Sequence, residues 1–435
     1  MTHEVGWIIA RMTGLAGPGR SIGVVQEAYH PELVGIKAFV EGALPGDLVR
    51  ADVVTRKSQY LEATLSELVE PSTHRREPPC PVAVECGGCD VQPLTYESQL
   101  DAKREMIAGA FRAARLGEVA DRVRPFEPSR QEGYRRRFAF HIDRAGIVGL
   151  YRRRSRSVLS LSRCFVATEE VNNLLEKLPM VAEALAGTPA TAIVESGEGT
   201  AGVVLVIAEQ VASQVWEQVE KALSAITPMW SLKIKDAIVR SPSHPPITLE
   251  ADGQMVSLPL GSFSQVNWEV NQKLVRRVVS LVEEAKITQL LDLYAGAGNF
   301  AIPIASRGIK TTAVELAPDL VAAGRSVAEN AAFPLEYRCA SVERFLNDVA
   351  EKKEGNQPWG CLVVDPPRSG LGPLVRTLPR APLVLLISCQ LSSCVRDVGG
   401  LMARGYVVES IEPFDMFAHT SHAELLSVLR LADGA

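Results

Sequence analysis

The chain has 435 residues, a formal net charge of −5 and eight cysteines. That length predicts two to four domains, and no apolar stretch reaches the roughly 20 residues of a membrane helix. The charge excludes a wholly basic nucleic-acid coat but not a local basic surface, and no basic region leads into an apolar one at the N-terminus. A cytoplasmic protein is therefore expected, with cysteines that serve metal binding or catalysis rather than disulfides.

In chain order, residues 6–10, 21–25, 35–40 and 48–54 read as short strands, and Pro45-Gly46-Asp47 supplies a turn. About five such strands within residues 1–70 suit an OB-like barrel, a form that commonly binds oligonucleotides, although a small β-module without a ligand fits the same pattern. A polar, proline-rich joint over 70–79 marks a domain boundary.

Cys80, Cys86 and Cys89 follow at once, with Gly87-Gly88 letting the backbone fold tightly between the last two. A fourth ligand is needed, and Cys164 is the best candidate before the C-terminal domain. Zinc is the usual rival for four thiolates, but structural zinc sites tend to pair their ligands in two short hooks. Three clustered cysteines and one distant one suit a four-iron cluster better. A cluster for radical chemistry would leave one iron without a cysteine and would not need Cys164. Cys339, Cys361 and Cys394 fall at strand or helix positions and are expected in the core.

Residues 96–116 form a plausible amphipathic helix. Two arginine triplets with adjacent tyrosines come next, Tyr134-Arg135-Arg136-Arg137 and Tyr151-Arg152-Arg153-Arg154, with Arg144 and Arg156 close by. They suit phosphate contacts and base stacking on RNA or DNA, although charge runs are more often solvated faces. Residues 190–255 read as mixed α+β with a helix from about Val211 to Ile226. Gly261 to Asn267 precede a helix from Trp268 to about Glu284. Strands and helices then alternate, which predicts a parallel, doubly wound sheet.

Three features of that last region carry chemistry, each at the carboxyl end of a strand, where open α/β sheets bind ligands. The first is Leu293-Tyr294-Ala295-Gly296-Ala297-Gly298-Asn299, with Glu315 ending the next strand. Gly296-Ala297-Gly298-Asn299-Phe300-Ala301 fits a dinucleotide fingerprint, so a nicotinamide dehydrogenase is one reading. Asp292 four residues before Gly296 gives the arrangement typical of S-adenosylmethionine methyltransferases. The second feature is Asp365-Pro366-Pro367-Arg368, and the third is Cys389, which follows the apolar run Leu383–Ile387 and Ser388.

A thiol, a methyl donor and Glu424 together meet the demands of pyrimidine C5 methylation. A thiolate adds at C6, the resulting enolate attacks the methyl group from C5, and a base removes the C5 proton so that the thiol can leave. Cys389 is the candidate nucleophile and Glu424 the candidate base. A free thiol has a pKa of about 8.5, so the site is expected to favour the thiolate. Taken singly, Cys389 could be a buried apolar cysteine and Glu424 a strand edge.

Together these residues make the chain resemble, over nearly its full length, the RNA uracil-C5 methyltransferases that carry an iron–sulfur cluster. The resemblance implies an α/β and β protein of three domains. Residues 1–70 would be a TRAM barrel, 71–260 an iron–sulfur-bearing α+β domain that binds RNA, and 261–435 a Rossmann-like methyltransferase domain. It implies S-adenosylmethionine held by Gln265, Tyr294, Asn299, Glu315 and Asp365, and a [4Fe-4S] cluster on Cys80, Cys86, Cys89 and Cys164. It assigns Cys389 as nucleophile and Glu424 as proton-abstracting base, in a monomer acting on RNA, 23S rRNA ahead of tRNA. Cytosine-C5 methylation and a non-catalytic RNA-binding assembly factor are the alternatives. Gln390-Leu391 stands where the family usually has Asn-Pro, Ala418 replaces a proline, and Cys394 is an extra cysteine.

Overall fold

Alternating burial along the first strands closes the N-terminal residues into a barrel. Our computed structural model describes residues 6–208, 212–235, 237–351 and 359–432. β1 (Trp7–Leu15), β2 (Arg20–Ala28), β3 (Lys37–Glu41), β4 (Leu48–Arg56) and β5 (Tyr60–Glu70) pair in the closed order β1-β2-β3-β5-β4. Ile8, Ala10, Val40, Val49 and Leu61 point inward and are fully buried. β1, β2 and β4 run longer than their apolar stretches suggest: the β1–β2 pairing continues past bulges between Ile9 and Ala10 and between Met12 and Gly14, and the β4–β5 pairing past others.

The helix Tyr96–Ala113 stops short of the expected residue 116, at Arg115, whose φ of 64° breaks the helical path. The central domain is one sheet of β6 (Arg137–Ile142), β7 (Val148–Tyr151), β8 (Val158–Ser160), β9 (Ala190–Ser196), β10 (Ala201–Ile207), β11 (Trp230–Ile234) and β12 (Ala237–Arg240). Its order is β12-β11-β10-β9-β6-β7-β8. The expected helix is Ser213–Ile226, and its predicted first residue, Val211, lies outside the described residues. The hairpin β13 (Ile247–Ala251) and β14 (Gln254–Leu258) packs against Ala297, Ile302 and Leu320 of the C-terminal region.

The third region holds β15 (Gln289–Leu293), β16 (Lys310–Glu315), β17 (Leu335–Cys339), β18 (Cys361–Val364), β19 (Leu383–Ser388), β20 (Tyr406–Phe414) and β21 (Glu424–Leu431). The sheet order is β17-β16-β15-β18-β19-β21-β20. The first five strands are parallel, as expected of a doubly wound sheet. β21 departs from that expectation: it runs antiparallel to both β19 and β20, having turned back from β20 and inserted between the two. Helices cover both faces, and the helix Trp268–Glu284 starts from Asn267, whose side chain accepts the Val270 amide at 3.2 Å. Cys361 and Cys394 are buried as expected, but Cys339 is exposed, since it is the last residue of the edge strand β17. No described helix is long and apolar enough to cross a membrane.

Candidate active site

The glycine turn leaves β15 through three left-handed residues in close succession, Tyr294 at φ 64°, Gly296 at 56° and Gly298 at 100°. The turn is held from β16: Glu315 accepts the Gly296 amide at 3.0 Å and, through its other oxygen, the amides of Leu316 and Ala317 at 2.8 Å. Asn299 exchanges two amide hydrogen bonds with Asn271, at 2.8 and 3.0 Å, which fixes its side chain against the helix Trp268–Glu284. Asp292 is fully buried below the turn. Burial, then the neighbouring Asp365, push its carboxyl well above the usual range.

Gln265 is buried, on a loop that the central domain anchors. Arg136, itself buried, donates to the Ser196 carbonyl at 2.6 Å and to the buried Glu195 carboxylate at 3.3 Å. Glu195 also accepts from the Ser264 hydroxyl at 2.7 Å and the Gly261 amide at 3.2 Å, and the Arg136 amide donates to the Val266 carbonyl at 2.9 Å. No motif or periodicity signals this network.

Cys389 and Glu424 come together through sheet register. Ser388 pairs with Leu425 across the antiparallel β19 and β21, so the next residue of each strand, Cys389 and Glu424, continues the same register. Glu424 is almost fully buried, and burial followed by Asp365 pushes its carboxyl well up. Asp365 is itself pushed up by burial, to about 7. Cys389 is half-buried, and burial with the two carboxylates raises its thiol to about 11, against a lowering contribution from Arg368. Burial and the neighbouring carboxylates thus work against the thiolate expected from the sequence, and Arg368 works for it.

The three sequence departures have defined surroundings. Gln390 stands at the N-cap of the helix Leu391–Met402, and its amide donates to Ser392 at 3.3 Å. Ala418 is fully buried, and its carbonyl accepts the Tyr134 hydroxyl at 2.9 Å. Cys394 is buried within that helix, with its sulfur 3.6 Å from the Ser427 hydroxyl.

Cys80, Cys86, Cys89 and Cys164 line one cavity of about 190 Å³. Burial, the largest effect at each, raises Cys86 and takes Cys89 to about 12 and Cys164 to about 11. The Gly88 amide lies 3.4 Å from the Cys86 sulfur, and Arg153 donates to the Cys89 carbonyl at 2.8 Å. Among the described residues no three His, Cys, Asp or Glu side chains gather tightly enough to hold a single metal ion.

The basic segment divides in two. Tyr134 and Arg136 are buried in the domain joint, and Arg135 lies over the Phe138 ring at 4.7 Å, so the first triplet is not the open phosphate-binding face that its sequence suggested. The second stays at the surface. Tyr151 stacks on His141 with ring centroids 3.8 Å apart, and both line a groove of about 520 Å³ together with Arg152, Arg154 and Arg156. Arg152 and Arg154 are paired with Glu85 and Glu41.

A family profile described as tRNA (Uracil-5-)-methyltransferase matches residues 95–431. The chain is 33% identical to a 23S rRNA (uracil(1939)-C(5))-methyltransferase of Halomonas elongata, over 97% of this chain and 89% of that protein. It is 31% identical to the protein of the same name from Alkalilimnicola ehrlichii, over 96% and 95% of the two chains. In fold it is similar to a Pyrococcus abyssi tRNA (uracil-54, C5)-methyltransferase solved with S-adenosyl-L-homocysteine, at 23% identity and a TM-score of 0.71, covering 97% of this chain and 99% of that one. With a profile match over most of its length and relatives above 30% identity along nearly all of it, the chain belongs to the RNA uracil-C5 methyltransferase family.

Proposed function

We propose that the chain methylates C5 of a uridine in 23S rRNA with S-adenosylmethionine as methyl donor, through a covalent adduct between Cys389 and C6. The observation that carries this reading is the strand register that sets Cys389 beside Glu424. Uridine C5 is a poor nucleophile, and a thiol and a carboxylate on neighbouring strand ends are what its activation requires. S-adenosylmethionine, when bound, supplies an electrophilic methyl group and a positive charge. The turn of Tyr294, Gly296 and Asn299, with Gln265, Glu315 and Asp365, is the set of residues we assign to it.

The Cys389 thiol loses its proton to solvent and the thiolate adds to C6, leaving an enolate whose C5 takes the methyl group of S-adenosylmethionine and releases S-adenosylhomocysteine. Glu424, in its ionised form, removes the C5 proton after methyl transfer, and the sulfur then leaves. Burial disfavours the charged form of both groups, and the positive charge of the methyl donor would favour it. Identity of 31–33% to proteins named for 23S rRNA supports rRNA ahead of tRNA.

We assign a [4Fe-4S] cluster to Cys80, Cys86, Cys89 and Cys164. Support comes from four thiols around one cavity and from a ligand spacing unlike two zinc hooks. All four thiolates would be used, so the cluster supplies a cross-link between residues 80–89 and Cys164, and no step passes through it. We also propose domains of 1–70, 71–260 and 261–435, a monomer, and a cytoplasmic location.

The deciding experiment incubates wild type and Cys389→Ser with S-adenosylmethionine and 5-fluorouridine-substituted RNA, either a 23S fragment or tRNA. Fluorine at C5 blocks proton removal, so a denaturing gel should show a shifted band for wild type alone, with the 23S fragment. A band with tRNA alone would transfer the substrate assignment. No band with either RNA would overturn the covalent mechanism.

A further inference from the structure

The loop leading into Glu424 is held chiefly by the central domain, carbonyl by carbonyl. Lys103 donates to the Phe417 carbonyl at 3.1 Å and the Tyr134 hydroxyl to that of Ala418 at 2.9 Å. The amides of Asp90 and Val91 both donate to His419, at 3.1 Å. His419 is fully buried with φ at 68°, a conformation that a non-glycine residue keeps only when its surroundings impose it.

Asp90 completes the hold. One carboxylate oxygen accepts the Ser421 amide at 2.9 Å and the other the Ser421 hydroxyl at 2.8 Å. The second oxygen also accepts the Gly19 amide of the barrel at 2.7 Å. Asp90 directly follows Cys89, and Ser421 stands three residues before Glu424. A single carboxylate thus joins the cysteine segment, the barrel and the strand that begins with Glu424.

We propose that Asp90 is a positioning residue for proton abstraction: by fixing Ser421 it sets where the Glu424 carboxylate sits, so that the cysteine segment aligns the base. This rests on the reading of Glu424 as the base. Hydrogen bonds to an ionised carboxylate are short and directional, and a base misplaced by about 1 Å can cost orders of magnitude in rate. Cys389 follows β19, which Asp90 does not touch. Loosening the clamp therefore slows the last proton transfer while leaving thiolate addition and methyl transfer in place, and the methylated Cys389–RNA adduct accumulates.

The test uses full-length protein with its iron content measured, a 23S fragment containing ordinary uridine, and S-adenosylmethionine. Wild type, Asp90→Ala, Ser421→Ala and Glu424→Gln are quenched over time on denaturing gels, alongside steady-state kinetics. Asp90→Ala is expected to lower kcat roughly tenfold, with KM for S-adenosylmethionine within about twofold and a covalent band that rises and clears slowly. Ser421→Ala keeps the amide contact and should show a smaller change of the same kind. It decides the matter if Asp90→Ala is insoluble or lacks iron. A slower enzyme without a covalent band, a change confined to KM, or wild-type behaviour of the deciding variant would overturn the proposal. If Glu424→Gln itself gives no band, the assignment of the base fails first, and the positioning role fails with it.

Discussion

Arg136 and Glu195 form a buried ion pair, 3.3 Å apart at closest approach, at the joint between the central sheet and the loop that carries Gln265. Removing one partner strands a charge in a poorly solvated place, which typically costs about 3–5 kcal/mol. Arg136→Ala should therefore lower the thermal midpoint clearly. Because Ser264 and Gly261 hang on the same carboxylate, binding of S-adenosylmethionine should weaken as well. Thermal scans and calorimetric titration check both effects.

Arg156 presents the opposite case, exposed beside the stacked Tyr151 and His141. Arg156→Ala should weaken RNA binding and reduce the slope of log affinity against log salt by about 1. Arg136→Ala should leave that slope unchanged. Filter binding across a salt series separates the two.

The thiol of Cys389 carries a signed pH prediction. With its pKa raised to about 11, it stays protonated and unreactive through neutral pH, so alkylation should accelerate only as pH climbs toward that value. Asp365→Asn removes a charge that raises the pKa and should shift the profile down. Arg368→Ala removes one that lowers it and should shift the profile up, the more so at low salt. S-adenosylmethionine, a cation, should move the profile down, whereas neutral S-adenosylhomocysteine should not. Iodoacetamide labelling against a Cys389→Ser background measures all four.

Gly298→Ala should abolish binding of the methyl donor. At φ 100° an L-residue is strained, and the added Cβ would stand 2.6 Å from the Tyr337 hydroxyl and 2.7 Å from Ile302. Equilibrium dialysis with labelled S-adenosylmethionine reads this directly.

On the proposed [4Fe-4S] assignment, Cys86→Ser should lose iron, brown colour and soluble yield together, since a cluster cross-linking residues 80–89 to Cys164 would be made or lost as a unit. Iron analysis and absorbance of the purified variant test this. Soluble, active protein without iron would show that the cross-link is dispensable.

Much of this organisation was legible where apolar runs end in unusual residues. β19 stops at Ser388 before Cys389, and β15 runs into Tyr294 and the glycines, so strand patterning alone located both. The barrel was readable from its turns, and the cysteine group from its spacing. The antiparallel insertion of β21 was not, because Leu425–Leu429 is apolar on both faces and such a run carries no direction. Arg136 misled because a run of like charges reports nothing about burial, and its partner Glu195 lies 59 residues away. Asp90 gave no signal at all: one acid after a cysteine is unremarkable until Ser421, 331 residues on, is folded against it. The raised thiol of Cys389 arises from burial beside Asp365 and Glu424, which only the assembled sheet brings about.

The interior placement of β21 also bears on how the protein is made. Every other strand of that sheet precedes β21 in the chain, yet β21 fills the gap between β19 and β20. A nascent chain on the ribosome can build the barrel, the central sheet and the parallel strands in turn. It cannot close the edge beside Cys389 until residues 424–431 have emerged. The end of β19, which Cys389 follows, thus lacks its neighbouring strand until those residues are made.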